Sequence, residues 1–155
     1  AMPGTRVQTT LAKQLALSVV LYSPQQMSSD MIENYQNNLK PFEFLKSCPV
    51  NWERTVIPEA EIGQYLTVAR KDKDSERWFV GSITSESGRI MRLSLDFLDP
   101  GVSYHAKIFK DGPDADYVSN PYPVTIEEIE LNSEMVLEIA QANGGGTAII
   151  FSKKQ

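Results

Sequence analysis

The sequence predicts a mainly β protein, an antiparallel β-sandwich of about eight strands preceded by a short helical lead-in. From Val50 onward, short runs of β-branched and aromatic residues alternate with clusters of Gly, Pro, Asp and Ser. These runs recur roughly every 8–14 residues with no helical pattern between them, which favours antiparallel pairing over a parallel sheet. Before Val50, apolar residues instead recur at steps of three and four, as on the face of a helix.

The first predicted helix spans Arg6–Tyr22. Its apolar positions follow helical spacing, at Val7, Leu11, Leu15, Ala16, Val19 and Val20. Thr5 is the predicted N-cap, and Pro24 ends the helix near Ser23. Because the second half is apolar nearly all round, we expect this helix to be buried on more than one side.

Two shorter helices complete the lead-in. Ser28-Ser29-Asp30 provides a capping start for Met31–Asn38, and Pro41 precedes a predicted helix over Phe42–Ser47. The lead-in, about residues 5–48, is too short and too apolar to be a domain alone. We therefore divide the chain into this lead-in and a β domain, about residues 50–153.

The β domain contains eight predicted strands, each bounded by turn-forming residues. They are Glu53–Ile57, Gln64–Lys71, Arg77–Thr84, Arg89–Asp96, Ser103–Lys110, Val124–Leu131, Met135–Ala140 and Thr147–Ser152. In the fourth strand, Met91, Leu93 and Leu95 alternate with polar neighbours. Such alternation predicts one buried and one exposed face.

Composition excludes several classes of function. The net charge of −5 argues against binding to nucleic acid or anionic lipid, which needs clustered positive charge. A single cysteine, Cys48, excludes an internal disulfide and a Cys-rich zinc site. The most apolar stretch, Leu15–Tyr22, is far shorter than the roughly 18 residues of a membrane span. No secretory signal pattern is present in this chain.

The acidic loop Asp111, Asp114 and Asp116 is a candidate calcium site, since calcium prefers several converging oxygens. However, it lacks the spacing of an EF-hand loop, and aspartate is common in turns for local reasons. We favour a turn. The glycines of Asn143–Gly146 precede a predicted strand rather than a helix, so a turn is also favoured over a phosphate-binding loop.

No other group rises to a catalytic assignment, and we predict no catalytic, cofactor-binding or metal-binding residue in this chain. His105 and Cys48 stand alone, and no serine lies in a nucleophile-elbow sequence. Carboxylate neighbours such as Glu59/Glu61 and Glu127/Glu128 suggest a glycosidase pair, but Glu127 and Glu128 point to opposite faces of a strand. The aromatic residues could stack on sugars or fill a sandwich core. They are Trp52, Trp78, Tyr65, Tyr104, Tyr117 and Tyr122.

Six blocks together resemble the C-terminal end of glycoside hydrolase family 97, in the order in which that family carries them. They run from about Thr9 to Phe151 and read TTLAKQLALSVVLYSPQQM, PFEFLKSCPVNWERT, EIGQYLTVAR, WFVGSIT, DGPDADY and GGGTAI. The family comprises bacterial α-glucosidases and α-galactosidases.

The resemblance implies that residues 5–48 are the last elements of a catalytic (β/α)8 barrel and that residues 50–153 are the closing β-sandwich. The family's catalytic carboxylates and calcium ligands lie upstream, so none is assigned here, and this chain alone is predicted to be inactive. The resemblance also implies a periplasmic or secreted enzyme of carbohydrate metabolism.

The predicted function is that of a non-catalytic C-terminal portion that packs against and stabilises the barrel. Two alternatives stay open, a module that binds carbohydrate weakly and an oligomerisation or scaffold domain. An exposed row of Trp or Tyr would favour the first alternative, whereas an apolar patch at residues 11–21 would favour packing. Because one sandwich offers little cover for so apolar a helix, we expect self-association through residues 5–48 rather than folding back onto the sheet.

Overall fold

The computed structural model describes residues 9–21 and 40–154. The described helices are α1 (Leu11–Val20), a 3₁₀ turn (Lys40–Phe42) and α2 (Glu43–Ser47). The strands are β1 (Trp52–Glu61), β2 (Tyr65–Asp72), β3 (Trp78–Thr84), β4 (Arg89–Ser94), β5 (Tyr104–Asp111), β6 (Val124–Leu131), β7 (Val136–Gln141) and β8 (Gly146–Lys153). No helix within these described ranges is long and apolar enough to cross a membrane.

The described strands form two antiparallel sheets. The large sheet has the order β1-β2-β3-β8-β5-β6, and the small sheet pairs β4 with β7. This arrangement confirms the predicted β-sandwich with a helical lead-in. All eight predicted strands are present in order, and β1 extends beyond its predicted end because a register shift between Val56 and Glu59 accommodates Pro58 within the strand.

One hydrophobic core lies between the two sheets. The predicted alternation of β4 is confirmed, because Met91 and Leu93 are fully buried while Ile90 is exposed. They pack with large side chains of the opposite sheet, including Trp78 and Phe151. The small sheet therefore covers one face of the large sheet.

A second core lies on the other face of the large sheet, beneath the helices. Leu11, Leu15 and Val19 lie one above another on α1 and are fully buried against this face. From α2, Phe44 meets the rings of Phe79 and Phe109 edge to face, at 5.9 and 5.5 Å between centroids. The helices are thus a third layer of the fold.

The predicted helix Arg6–Tyr22 is wrong at both ends of the described segment, because Thr9, Thr10 and Leu21 are not helical. The helix begins at Leu11, and Thr10 is its N-cap, with Oγ1 accepting a hydrogen bond from the Lys13 amide at 3.2 Å. The Thr10 amide donates to the Gly144 carbonyl and the Leu11 amide to the Pro121 carbonyl. These hydrogen bonds satisfy backbone amides at the start of the helix, so contacts with the sandwich set where the helix begins. Thr5, Pro24 and the predicted helix Met31–Asn38 lie outside the described residues.

Candidate functional site

The contact between α1 and the large sheet depends on two glycines in neighbouring strands. A Cβ atom on Gly81 of β3 would overlap the Ala16 carbonyl oxygen, and one on Gly146 of β8 would lie 2.8 Å from the Lys13 Cα. Both positions therefore admit the helix only because no side chain is present. The backbone of α1 lies directly on the sheet.

The expected apolar patch at residues 11–21 is not formed. Of α1, Leu17 and Val20 are half-buried and only the capping Leu21 is clearly exposed, whereas seven other residues are buried. Burial on more than one side is confirmed, and α1 packs on the sandwich, which is the arrangement that the sequence did not favour. The reason is that the outer face of the large sheet is itself apolar and takes the helix as its cover. Self-association through residues 5–48 as a whole stays a prediction.

Asp111 lies close to the start of α1, where the Thr10 side chain and the Lys13 charge act on its carboxylate. Its Oδ2 accepts hydrogen bonds from the Ala142 amide at 2.9 Å and the Gly146 amide at 3.0 Å, and the residue is 9% exposed. Burial raises the pKa of this carboxyl, although the Thr10 side chain, the two amide hydrogen bonds and the Lys13 charge favour its ionised form. Burial lowers the pKa of Lys13, whose ammonium donates to the Thr84 carbonyl at 2.8 Å. Asp111 is thus part of the helix–sheet junction.

The rest of the acidic loop forms a turn. The Asp116 carboxylate accepts hydrogen bonds from the amides of Ser119 and Val118, at 3.0 and 2.9 Å, and these bonds lower its pKa. Asp114 is exposed and has a positive φ of 62°. In the part of the chain that the structure describes, no group of three or more His, Cys, Asp or Glu residues could hold a metal ion.

The glycine cluster is a turn before β8, as predicted. The Gly145 amide donates to the Ala142 carbonyl at 2.9 Å, and Gly144 has a φ of 63° beneath the Tyr117 side chain. Through the bonds to Thr10 and Asp111, this turn also holds the start of α1. The sequence does not indicate that role, because the partners are more than thirty residues away.

His105 and Cys48 lie apart from each other and have structural partners. His105 Nε2 on β5 lies 3.0 Å from Glu128 Oε1 on the neighbouring strand β6. The Cys48 sulfur is 3.9 Å from the Ser18 hydroxyl, and burial raises the pKa of the thiol to about 11. A thiol with so high a pKa is almost entirely protonated at neutral pH and is a poor nucleophile.

Three of the four neighbouring carboxylates have side-chain partners. Arg89 binds Glu59 with two hydrogen bonds, at 2.7 and 3.1 Å, whereas Glu61 is exposed. Glu127 pairs with Lys110 at 3.0 Å and Glu128 with His105, on opposite faces of β6 as predicted. The structure therefore brings neither pair together across a common cleft.

The described aromatic residues do not form an exposed row. Trp78 and Tyr104 are buried, and Trp52, Tyr65 and Tyr117 are half-buried. The guanidinium of Arg89 covers one face of the Tyr65 ring at 3.7 Å. Tyr122, at 42% exposure, is the most accessible of the six, so the feature that would favour carbohydrate binding is missing from this part of the chain.

These features define a class of protein: a β-sandwich domain whose large sheet is covered on its outer face by helices. Residues 51–152 match the family described as glycosyl-hydrolase 97 C-terminal, oligomerisation, a segment that begins just before β1 and ends in β8. The chain belongs to this family.

Known relatives show the same resemblance. The chain is 34% identical over 142 residues to a retaining alpha-galactosidase from Bacteroides thetaiotaomicron. The match covers 92% of this chain but 21% of that enzyme, so the chain spans about a fifth of its curated relative.

Solved structures agree. A family 97 glycoside hydrolase from a Pseudoalteromonas species, in complex with acarbose, is 37% identical and superimposes with a TM-score of 0.86 over 97% of this chain and 23% of its own. A panose complex of an enzyme from the same source gives the same values. The predicted relationship to the C-terminal region of family 97 is confirmed.

Proposed function

We propose that this chain forms the non-catalytic C-terminal part of a family 97 glycoside hydrolase, packs against the catalytic barrel and brings copies of the enzyme together. The observation that carries the proposal is the family match over residues 51–152, which runs from just before β1 into β8, the last described strand. That family is described as an oligomerisation domain. The enzyme would act on α-glycosides in the periplasm or outside the cell.

The charge partners of the carboxylates support a non-catalytic role. Glycoside hydrolysis needs two carboxyl groups separated by about 5–5.5 Å or about 6.5–9.5 Å across a bound sugar. Glu59, Glu127 and Glu128 are each held by a cationic or imidazole group instead. The family's calcium ligands and its catalytic carboxylates would then belong to other segments of the enzyme, as the resemblance implies.

The helical layer supports attachment to a barrel. Helix α1 is fixed to the sandwich by apolar contacts, by the Asp111 junction and by the backbone bonds of Thr10 and Leu11. A barrel that continues into such a helix would hold the sandwich at a fixed orientation. The domain would then stabilise the barrel through a shared helix rather than through a flexible linker.

Two measurements on the full chain test this proposal. With aryl α-galactosides and aryl α-glucosides, we expect no hydrolysis above the buffer rate. Light scattering across micromolar concentrations should give a mass above the 17.4 kDa of one chain. Hydrolysis that disappears in Glu59→Gln or Glu127→Gln would contradict the non-catalytic role, and a constant monomer mass would contradict the association.

A further inference from the structure

The outer face of the small sheet presents six side chains away from the core. We call this face the outer strip; it consists of Ile90, Arg92 and Ser94 from β4 and of Val136, Glu138 and Ala140 from β7. The register places these residues opposite one another in three pairs, Ile90 with Ala140, Arg92 with Glu138 and Ser94 with Val136.

The outer strip has apolar ends. Ile90 is 61% exposed at one end, and Val136 is 53% exposed at the other, next to Met135 at 48%. These apolar side chains lie on either side of the charged pair Arg92 and Glu138, so a partner seated on the strip would bury apolar area at both ends of the contact. The remaining large apolar side chains of this small sheet, such as Leu93, point into the core.

The centre of the outer strip carries one positive and one negative charge. Arg92 Nε lies 3.5 Å from Glu138 Oε1, and both side chains are more than half exposed. An exposed pair of this kind contributes little to the stability of its own chain. It does make the face self-complementary, since every copy presents the same two opposite charges side by side.

A two-fold axis parallel to the strands, running between β4 and β7, would bring two outer strips together face to face. That operation puts β4 of each copy over β7 of the other. The Arg92 of each copy then faces the Glu138 of the other, which gives two equivalent contacts between opposite charges. Ser94 then meets Val136, and Ile90 meets Ala140. Two-fold interfaces use the same patch on both subunits, and opposite charges placed in this way favour the correct pairing.

Other described surfaces suit a second copy less well. The edge strand β6 exposes Glu127, Glu128 and Glu130, which already have partners in the same chain in Lys110, His105 and Lys154. Pairing two copies along this edge would still place these like charges side by side. The apolar face of α1 is already covered by the large sheet. Charge complementarity therefore favours the outer strip.

We propose that the outer strip is the surface through which two copies of this chain associate, which rests on the association stated under the proposed function. The contact is small, because specific interfaces of ordinary size bury about 800 Å² on each partner. We therefore expect weak association of the isolated chain, strongest at low ionic strength, where charges are screened least.

Charge reversal tests the pairing across the interface. Arg92→Glu gives each copy two negative charges at the centre of the strip, and Glu138→Arg gives each copy two positive charges. Each variant alone should associate at least tenfold more weakly than the wild type in sedimentation or light scattering. An equimolar mixture should associate again, because every contact across the axis then joins opposite charges. If the reversals weakened association only by breaking the Arg92–Glu138 pair within each chain, mixing the two variants would not restore it.

Matched controls separate the outcomes. Ile62→Glu places a charge on a fully exposed apolar residue outside the strip and should leave the association unchanged. Thermal unfolding of each variant checks that it is folded. If the wild type associates but neither the charge-reversal variants nor their mixture changes the association, the outer strip is not the interface. The proposed association through some other surface then stands. A wild type that is monomeric throughout overturns both.

Discussion

The two faces of the large sheet are covered in different ways. On one face, the backbone of α1 approaches closely where Gly81 and Gly146 have no side chains. On the other face, the small sheet is held at a distance by large interdigitating side chains such as Trp78 and Leu93. The comparison shows that helix α1 is as much a part of the folded unit as the second sheet is.

Coverage on both faces also explains the composition of the central strands. In β3 and β8 nearly every residue is buried, so their sequences are continuous apolar and small-residue runs rather than strict alternations. The edge strands β1 and β6 are largely exposed. An antiparallel strand alternates only when one of its faces meets water, and the central strands do not meet that condition.

The largest expected effect on stability comes from truncating one buried leucine in each of the two layers that cover the large sheet, helix α1 and the small sheet. Leu15→Ala beneath the helix and Leu93→Ala beneath the small sheet should each lower the free energy of unfolding by about 2–5 kcal/mol, because each leaves a cavity in a fully buried site. Denaturant unfolding measures both. Leu21→Ala, at an exposed position, should change stability by no more than about 0.5 kcal/mol. A neutral Leu15→Ala would mean that α1 contributes nothing to the stability of the sandwich.

The Asp111 junction should give a smaller, pH-dependent effect specific to the helical face. Burial raises the pKa of this carboxyl in the folded chain above its unfolded value of about 3.9. The stability that the protonated group provides is therefore lost as the pH rises through the folded pKa. Asp111→Asn keeps an acceptor for the two amides but cannot ionise, so its stability relative to the wild type should increase from pH 4 to pH 7.

Asp116→Asn serves as the control for this measurement. Hydrogen bonds from backbone amides lower the pKa of Asp116, so the wild type loses the stability from this group as the pH falls. The stability of the variant relative to the wild type should therefore decrease only as the pH rises toward the unfolded pKa of about 3.9. From pH 4 to pH 7 it should stay constant, whereas the relative stability of Asp111→Asn increases. Parallel trends for the two variants in urea unfolding at several pH values would show that Asp111 is not the source of the effect.

Calcium should have the smallest effect, because the loop beside the start of α1 is held by its own hydrogen bonds. The Asp116 carboxylate already accepts bonds from the amides of Val118 and Ser119. We expect no change in Tm with excess calcium, whereas a bound ion at a hundredfold excess over its Kd would stabilise the chain by about 2.7 kcal/mol. A rise in Tm that Asp114→Ala removes would make the helical face metal-dependent and would refute the turn assignment.

Much of the sandwich could be predicted because its signals are local. Alternation placed Met91 and Leu93 inside, and turn-forming residues separated all eight strands in the right order. The end of β1 was predicted too early, since Pro58 is normally a sign that a strand ends and only the register shift shows how it is tolerated. The family was predicted from the combined blocks and is confirmed by the match over residues 51–152.

The sequence by itself determined the strands, their turns and the apolar character of the first helix, because periods of two and 3.6 residues and turn chemistry are properties of neighbouring residues. Only the tertiary structure decided where that helix begins and what it covers. Thr10 and Leu11 donate their amides to Gly144 and Pro121, and Asp111 accepts from Ala142 and Gly146. Such partners lie far apart in the chain and meet only after the sheet has formed, so no pattern of neighbouring residues predicts these hydrogen bonds.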